Sequence, residues 1–61
     1  MTEEQYRVLI LDDDYELGIM LQEYLQNTRV CAVTYVTTVD DFWDCLRHNT
    51  YDIILVDFRV G

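Results

Sequence analysis

Four aspartates stand directly after short apolar runs, in two places far apart in the chain. Asp12, Asp13 and Asp14 follow V-L-I-L, and Asp57 follows I-I-L-V. Carboxylates brought close together repel one another, and a hard cation such as Mg²⁺, which prefers oxygen ligands, offsets that repulsion. Such a cation can also bind a phosphoryl oxygen while a neighbouring carboxylate attacks phosphorus. The pattern therefore predicts a phosphoryl-transfer site, provided that the fold brings the two runs together.

The rest of the sequence alternates between strand and helix patterns. Continuous apolar or β-branched runs predict strands over 7–11, 30–36 and 52–56. Apolar residues at helical spacing predict a first helix over 15–25 and a second that opens at Thr38 and frays near His48 and Asn49. The element order β-α-β-α-β with short connections predicts a parallel sheet.

Both helices carry an apolar stripe and polar residues suited to capping their ends. Asp13 or Asp14 can cap the first helix and Asn27 can end it, while Thr38 with Asp41 forms a weak capping box for the second. Because Phe42 and Trp43 are adjacent, one is expected in the core and the other partly exposed. The predicted stripes are Leu17, Met20, Leu21, Tyr24 and Leu25 in the first helix, and Val39, Phe42, Trp43 and Leu46 in the second.

The connections restrict the sheet to one strand order. Crossovers between parallel strands are right-handed, so one helix on each face requires the first strand to lie between the other two. The order is then 2-1-3, and the ends of strands 1 and 3 lie about 4.8 Å apart. This is the switch point at which open α/β sheets bind ligands. The predicted fold thus brings Asp12, Asp13, Asp14 and Asp57 to one sheet edge.

Composition narrows the function classes. The 61 residues make one small domain, with twelve acidic residues against four basic ones and a net charge of −8. That balance argues against binding to nucleic acid or to an anionic membrane. The N-terminal residues M-T-E-E-Q-Y-R do not resemble a signal peptide. Cys31 and Cys45 stand alone in apolar surroundings, so we expect free thiols and a cytoplasmic protein.

Four stretches resemble the first half of a response-regulator receiver domain, a flavodoxin-like doubly wound α/β unit of two-component signalling. They are V-L-I-L-D-D-D, L-x-x-x-L-x-x-Y-L, T-T-V-D-D-F-W-D-C-L and Y-D-I-I-L-V-D, and together they span nearly the whole chain. The resemblance implies that Asp57 accepts a phosphoryl group from a histidine kinase or a phosphotransfer protein. It also implies that Mg²⁺ is held by Asp12, Asp13 and Asp57, together with the backbone carbonyl of Arg59.

The sequence departs from the receiver pattern in two ways. Gly61 stands where receivers usually have a proline, and the strands that carry the family's switch Thr or Ser and its Lys have no counterpart. We therefore expect residues 1–61 to be a partial receiver domain without the usual route of switching. We further expect the open edge of the third strand to be completed by dimerisation.

Two other functions fit parts of the sequence. A strand followed by Asp12 and Asp14 resembles the opening of haloacid-dehalogenase-like phosphatases, although Tyr15 and Glu16 depart from that pattern and no later Lys or acidic pair follows. The chain could instead be a phosphorylation-independent half-receiver that acts through self-association. His48 lies at a polar helix end and is expected to be solvated.

Overall fold

A computed structural model describes residues 5–57, which form the predicted alternation of three strands and two helices. The bounds are β1 Tyr6–Asp12, α1 Tyr15–Asn27, β2 Cys31–Val36, α2 Val39–His48 and β3 Ile53–Asp57. Each element lies where the sequence predicts it, with ends that differ by one or two residues. β1 and β3 both extend to include the aspartate that follows their apolar run. Neither helix has the length and apolar composition needed to cross a membrane.

The sheet is parallel and has the predicted order β2-β1-β3. β1 is the central strand: Val8 aligns with Val33 of β2 and with Ile53 of β3. Because both edges of β1 are paired and both of its faces are covered, Val8, Leu9, Ile10 and Leu11 are almost completely buried. A continuous apolar run is the pattern expected of such a strand.

The two helices pack on opposite faces of the sheet, as predicted. Successive side chains of a strand point to opposite faces. Leu9 and Leu11 pack against Phe42 of α2. Ile10 faces the other way and aligns with Tyr35 of β2, whose ring lies against Gly18 of α1. Each face of the β1–β2 half is therefore covered by one helix.

The apolar stripe of α1 is narrower than predicted. Met20 and Tyr24 were expected in the core, but their exposed fractions are 65% and 71%. The side of α1 that meets the sheet is centred on Gly18, which is buried, with Leu17 and Leu21 half-buried beside it. At 100° per residue Met20 and Tyr24 fall outside that sector.

Side-chain oxygens cap the start of both helices. Asp14 accepts a hydrogen bond from the backbone N–H of Leu17 (3.2 Å), and Thr38 accepts one from that of Asp41 (3.2 Å). Each bond satisfies one of the amide groups that the first turn of a helix leaves without a partner. Of the two predicted caps for α1, Asp14 is the one used. Phe42 is the buried member of the aromatic pair and Trp43 the exposed one.

β3 is the least protected element. It pairs with β1 along one edge, and neither helix packs on it. As a result all five of its residues are exposed, and its aliphatic side chains have exposed fractions between 39% and 57%. Within residues 5–57, the other edge of β3 pairs with no strand, and no helix covers either of its faces.

Candidate functional site

The carboxyl ends of β1 and β3 meet as the topology requires. Asp12 and Asp57 are aligned partners in the parallel β1–β3 pair. Aligned residues of neighbouring strands have side chains on the same face, on strands about 4.8 Å apart. Two of the four predicted aspartates, separated by 45 positions in the chain, are therefore neighbours at one corner of the sheet.

Asp12 is the buried member of this pair. Its exposed fraction is 1%, and its Oδ1 accepts a hydrogen bond from the backbone N–H of Asp14 at 2.8 Å. Its Oδ2 is also buried and has no hydrogen-bond partner among the described residues. A buried carboxylate oxygen without a donor is costly, because it loses its hydration without replacement. Oδ2 of Asp12 is thus a position at which a cation would be stabilising.

The remaining acidic residues of this edge play different parts. Asp14 caps α1, and the side chain of Asp13 is exposed. Asp57 is exposed as well, so its carboxylate is accessible to a reactant from solvent. Among residues 5–57, no group of three or more His, Cys, Asp or Glu side chains is arranged to hold a metal ion. The predicted ligand carbonyl of Arg59 lies outside the described residues.

Tyr35 contacts the backbone of residues 12–14, called here the acidic loop, and this contact was not predicted from the sequence. Its hydroxyl donates to the backbone carbonyl of Asp12 at 3.0 Å and lies 3.5 Å from that of Asp14. Its ring packs against that of Tyr15, with centroids 6.2 Å apart. Burial, followed by the negative charge of Asp12, raises the pKa of Tyr35 above its ordinary value. The hydroxyl therefore remains a donor at neutral pH.

Gly18 makes room for this tyrosine. A Cβ atom at position 18 would overlap the edge and the hydroxyl of the Tyr35 ring. The absence of a side chain thus lets α1 approach β2 closely enough for Tyr35 to reach the loop. A glycine inside a helical pattern costs about 1 kcal/mol relative to alanine, so its presence at position 18 was the available sequence signal.

His48 and the two cysteines lie away from this edge. His48 is at the end of α2, where its Nδ1 is 2.8 Å from the backbone carbonyl of Asp44 and 3.7 Å from that residue's carboxylate. The imidazole is largely exposed, in line with the prediction of a solvated side chain. Cys31 and Cys45 both carry free thiols.

The site therefore consists of the accessible carboxylate of Asp57 beside the buried carboxylate of Asp12, whose Oδ2 has no hydrogen-bond partner among residues 5–57. No known protein family, curated protein or solved structure matches the chain. The assignment of a function rests on the residues and their geometry.

Proposed function

We propose that the chain is a receiver-type half domain in which Asp57 accepts a phosphoryl group from a histidine kinase or a phosphotransfer protein. The observation that carries this proposal is the alignment of Asp57 with the buried Asp12 at the carboxyl edge of the sheet. A lone exposed aspartate at the end of a strand would have no particular chemistry. An aspartate beside a second carboxylate, one oxygen of which is buried without a partner among the described residues, stands where a phosphoryl group and a cation can share one site.

The chemistry assigned to Asp57 is a single displacement at phosphorus. One carboxylate oxygen forms the new O–P bond as the P–N bond of the donor phosphohistidine breaks, which gives an acyl phosphate. The departing imidazole nitrogen takes a proton, so the donor leaves as neutral histidine. The exposed side chain of Asp57 suits this reaction, because a donor on another protein must approach it directly.

Mg²⁺ is the cation we propose for this edge, with Asp12, Asp13 and Asp57 as its side-chain ligands and the carbonyl of Arg59 as a further one. Mg²⁺ commonly binds through one or two carboxylates and keeps several of its waters, so the pair Asp12 and Asp57 fits its needs. The buried Oδ2 of Asp12 supports the assignment, because a cation would satisfy it. When bound, the ion would neutralise charge on the transferring group.

The direct test is phosphorylation by a small phosphodonor. We expect incubation with phosphoramidate and Mg²⁺ to add the mass of one phosphoryl group, located on Asp57 by peptide mass spectrometry. Asp57→Asn should abolish the label, whereas Asp40→Asn, at an exposed position in the first turn of α2, should not. Phosphoryl on Asp12 would favour the phosphatase alternative, and an unlabelled wild-type chain would contradict the proposal.

Metal binding has its own readout. The amide of Asp14 donates to Asp12 Oδ1, so its NMR shift should respond when Mg²⁺ binds Asp12. Asp12→Asn should weaken that response, and Asp40→Asn should leave it unchanged. A saturable shift in the wild type with no phosphoryl transfer would retain the cation site while contradicting the reaction.

A second function, self-association through β3, is favoured by the exposure of that strand. Its free edge offers unpaired backbone groups, which template pairing with another strand. We propose a twofold dimer in which two β3 strands pair antiparallel into a six-stranded sheet. Asp52 directly precedes β3 and Asp57 is its last residue, so antiparallel pairing places Asp52 near Asp57 of the second copy. Because these like charges repel, the dimer should strengthen as salt rises.

Sedimentation velocity at several concentrations and two salt concentrations tests the dimer. Val56→Lys places a charge on the exposed strand and should give a monomer, while Trp43→Lys changes an equally exposed apolar residue on α2 and should leave the dimer intact. If association is the function, the dimer should form without Mg²⁺ and should persist in Asp57→Asn, which removes one of the two repelling charges and so should not weaken association. A wild-type chain that stays monomeric at every concentration would contradict the proposal.

A further inference from the structure

A second concave site lies at the amino-terminal ends of the strands, opposite the carboxyl ends that carry Asp12 and Asp57. It is an open cleft of about 380 Å³, formed where the start of β1 meets the end of α2 and the turn into β3. The chain has only four basic residues, all arginine, yet two of them line this cleft together with its one histidine. The full lining is Arg7, Leu46, Arg47, His48, Asn49 and Thr50.

Among residues 5–57, Arg7 is held in place without a carboxylate partner for its guanidinium. One of its guanidinium nitrogens donates to Oδ1 of Asn49 at 3.2 Å, and the guanidinium carbon lies 5.3 Å from the centroid of the Tyr51 ring. The nearby Asp52 carboxylate accepts instead from the backbone N–H of Arg7, at 2.8 Å. A guanidinium has five N–H donors, so Arg7 keeps donors for a ligand.

Arg47 also forms no ion pair with the described residues. Within residues 5–57 the ion pair present is that of His48 with Asp44. In a chain with three times as many acids as bases, two arginines at one cleft without an acidic partner in the described part of the chain are unexpected. Arg47 and His48 are in the last turn of α2, where positive charge complements the helix dipole. That accounts for these two residues but not for Arg7, which belongs to β1.

We propose that this cleft binds a small oxyanion, either a phosphate group or a carboxylate, between Arg7 and Arg47. Planar guanidinium groups donate paired hydrogen bonds to both kinds of oxyanion. The side chains of Asn49 and Thr50 add neutral polar groups, and the cleft volume is in the range of small-molecule sites. This proposal is independent of the proposed phosphoacceptor site, because the cleft uses none of the same residues and lies at the opposite ends of the strands.

The test is an NMR titration of the full chain with inorganic phosphate and, separately, with acetate. Ionic strength is held at about 0.15 M, where charges more than ~8 Å apart are largely screened and the net charge of the chain has little effect. We expect saturable shifts confined to Arg7 and residues 46–50. Arg47→Gln should weaken binding about tenfold or more, while Arg47→Lys should retain part of it.

Arg29→Asn is the matched control. It removes one positive charge outside the cleft, and asparagine tolerates the positive φ of 64° at that position. Binding should be unchanged in this variant and in Asp57→Asn. The guanidinium of Arg47 makes no hydrogen bond within residues 5–57, so its replacement should not unfold the chain. Shifts that do not saturate, or an equal loss in Arg29→Asn, would show general charge screening and overturn the proposal. Saturation by phosphate alone or acetate alone would support the site and identify its ligand class.

Discussion

Replacing Gly18 by alanine should destabilise the protein, against the usual trend for helices. In an exposed helix interior, Gly→Ala stabilises by about 1 kcal/mol, because glycine has the greater backbone freedom to lose. Gly18, however, is buried, and a Cβ there would overlap the Tyr35 ring. The ring would have to move, and its hydroxyl would then leave the Asp12 carbonyl.

The magnitude follows from three contributions. Overpacking a well-filled site typically costs about 1–3 kcal/mol. Loss of the Tyr35 hydrogen bond adds about 0.5–1.5 kcal/mol. The higher helix propensity of alanine offsets about 1 kcal/mol of this loss of stability. The net expectation is a fall of about 0.5–3.5 kcal/mol in the free energy of unfolding, a large fraction of the stability of so small a fold.

Urea denaturation at fixed protein concentration measures this, with Tyr35→Val as the background for a double-mutant cycle. Without the tyrosine ring, Gly18→Ala should become stabilising, so the two backgrounds should give opposite signs. A stabilising Gly18→Ala in the wild-type background would refute the close contact between α1 and β2. Equal effects in both backgrounds would refute the role of Tyr35.

Two further predictions concern other aromatic residues. Burial is the main cause that raises the pKa of both Tyr35 and Tyr51 above the ordinary value of about 10. Because the fold favours the neutral form of each tyrosine, the stability that this preference contributes is complete below about pH 10 and is lost as pH rises through the folded-state pKa. Ultraviolet titration should show two tyrosines that ionise later than the others. Tyr35→Phe should remove one of them. Phe42→Ala should cost about 3–5 kcal/mol and so unfold much of the population, whereas Trp43→Ala, at an exposed position, should change stability by less than about 0.5 kcal/mol. Thermal denaturation of both variants checks this, and similar effects would contradict the assignment of Phe42 to the core.

The strand order and the helix caps could be predicted because each depends on a strong local rule. Alternating strand and helix patterns with right-handed crossovers leave few topologies, and these bring Asp12 next to Asp57. Asp14 and Thr38 are residue types that cap helices by short-range geometry, independent of the rest of the fold.

Features that depend on tertiary packing were missed. The exposure of Met20 and Tyr24 reflects where α1 meets the sheet, and helical spacing alone does not fix that direction. The contact between Tyr35 and the acidic loop needs the close approach permitted at Gly18. The basic cleft joins Arg7 to Asn49, 42 positions later, and no local pattern links them.

The central position of β1 also has a consequence for the order of folding events. β1 is synthesised before the other elements, yet its pairing with β3 aligns Val8 with Ile53, 45 positions further along the chain. Much of the sheet therefore depends on non-local contacts, which slow folding relative to a helical chain of equal size. Until β3 emerges from the ribosome, the apolar run of β1 has one edge without a partner. We expect this interval to be the point at which the nascent chain is most prone to aggregation.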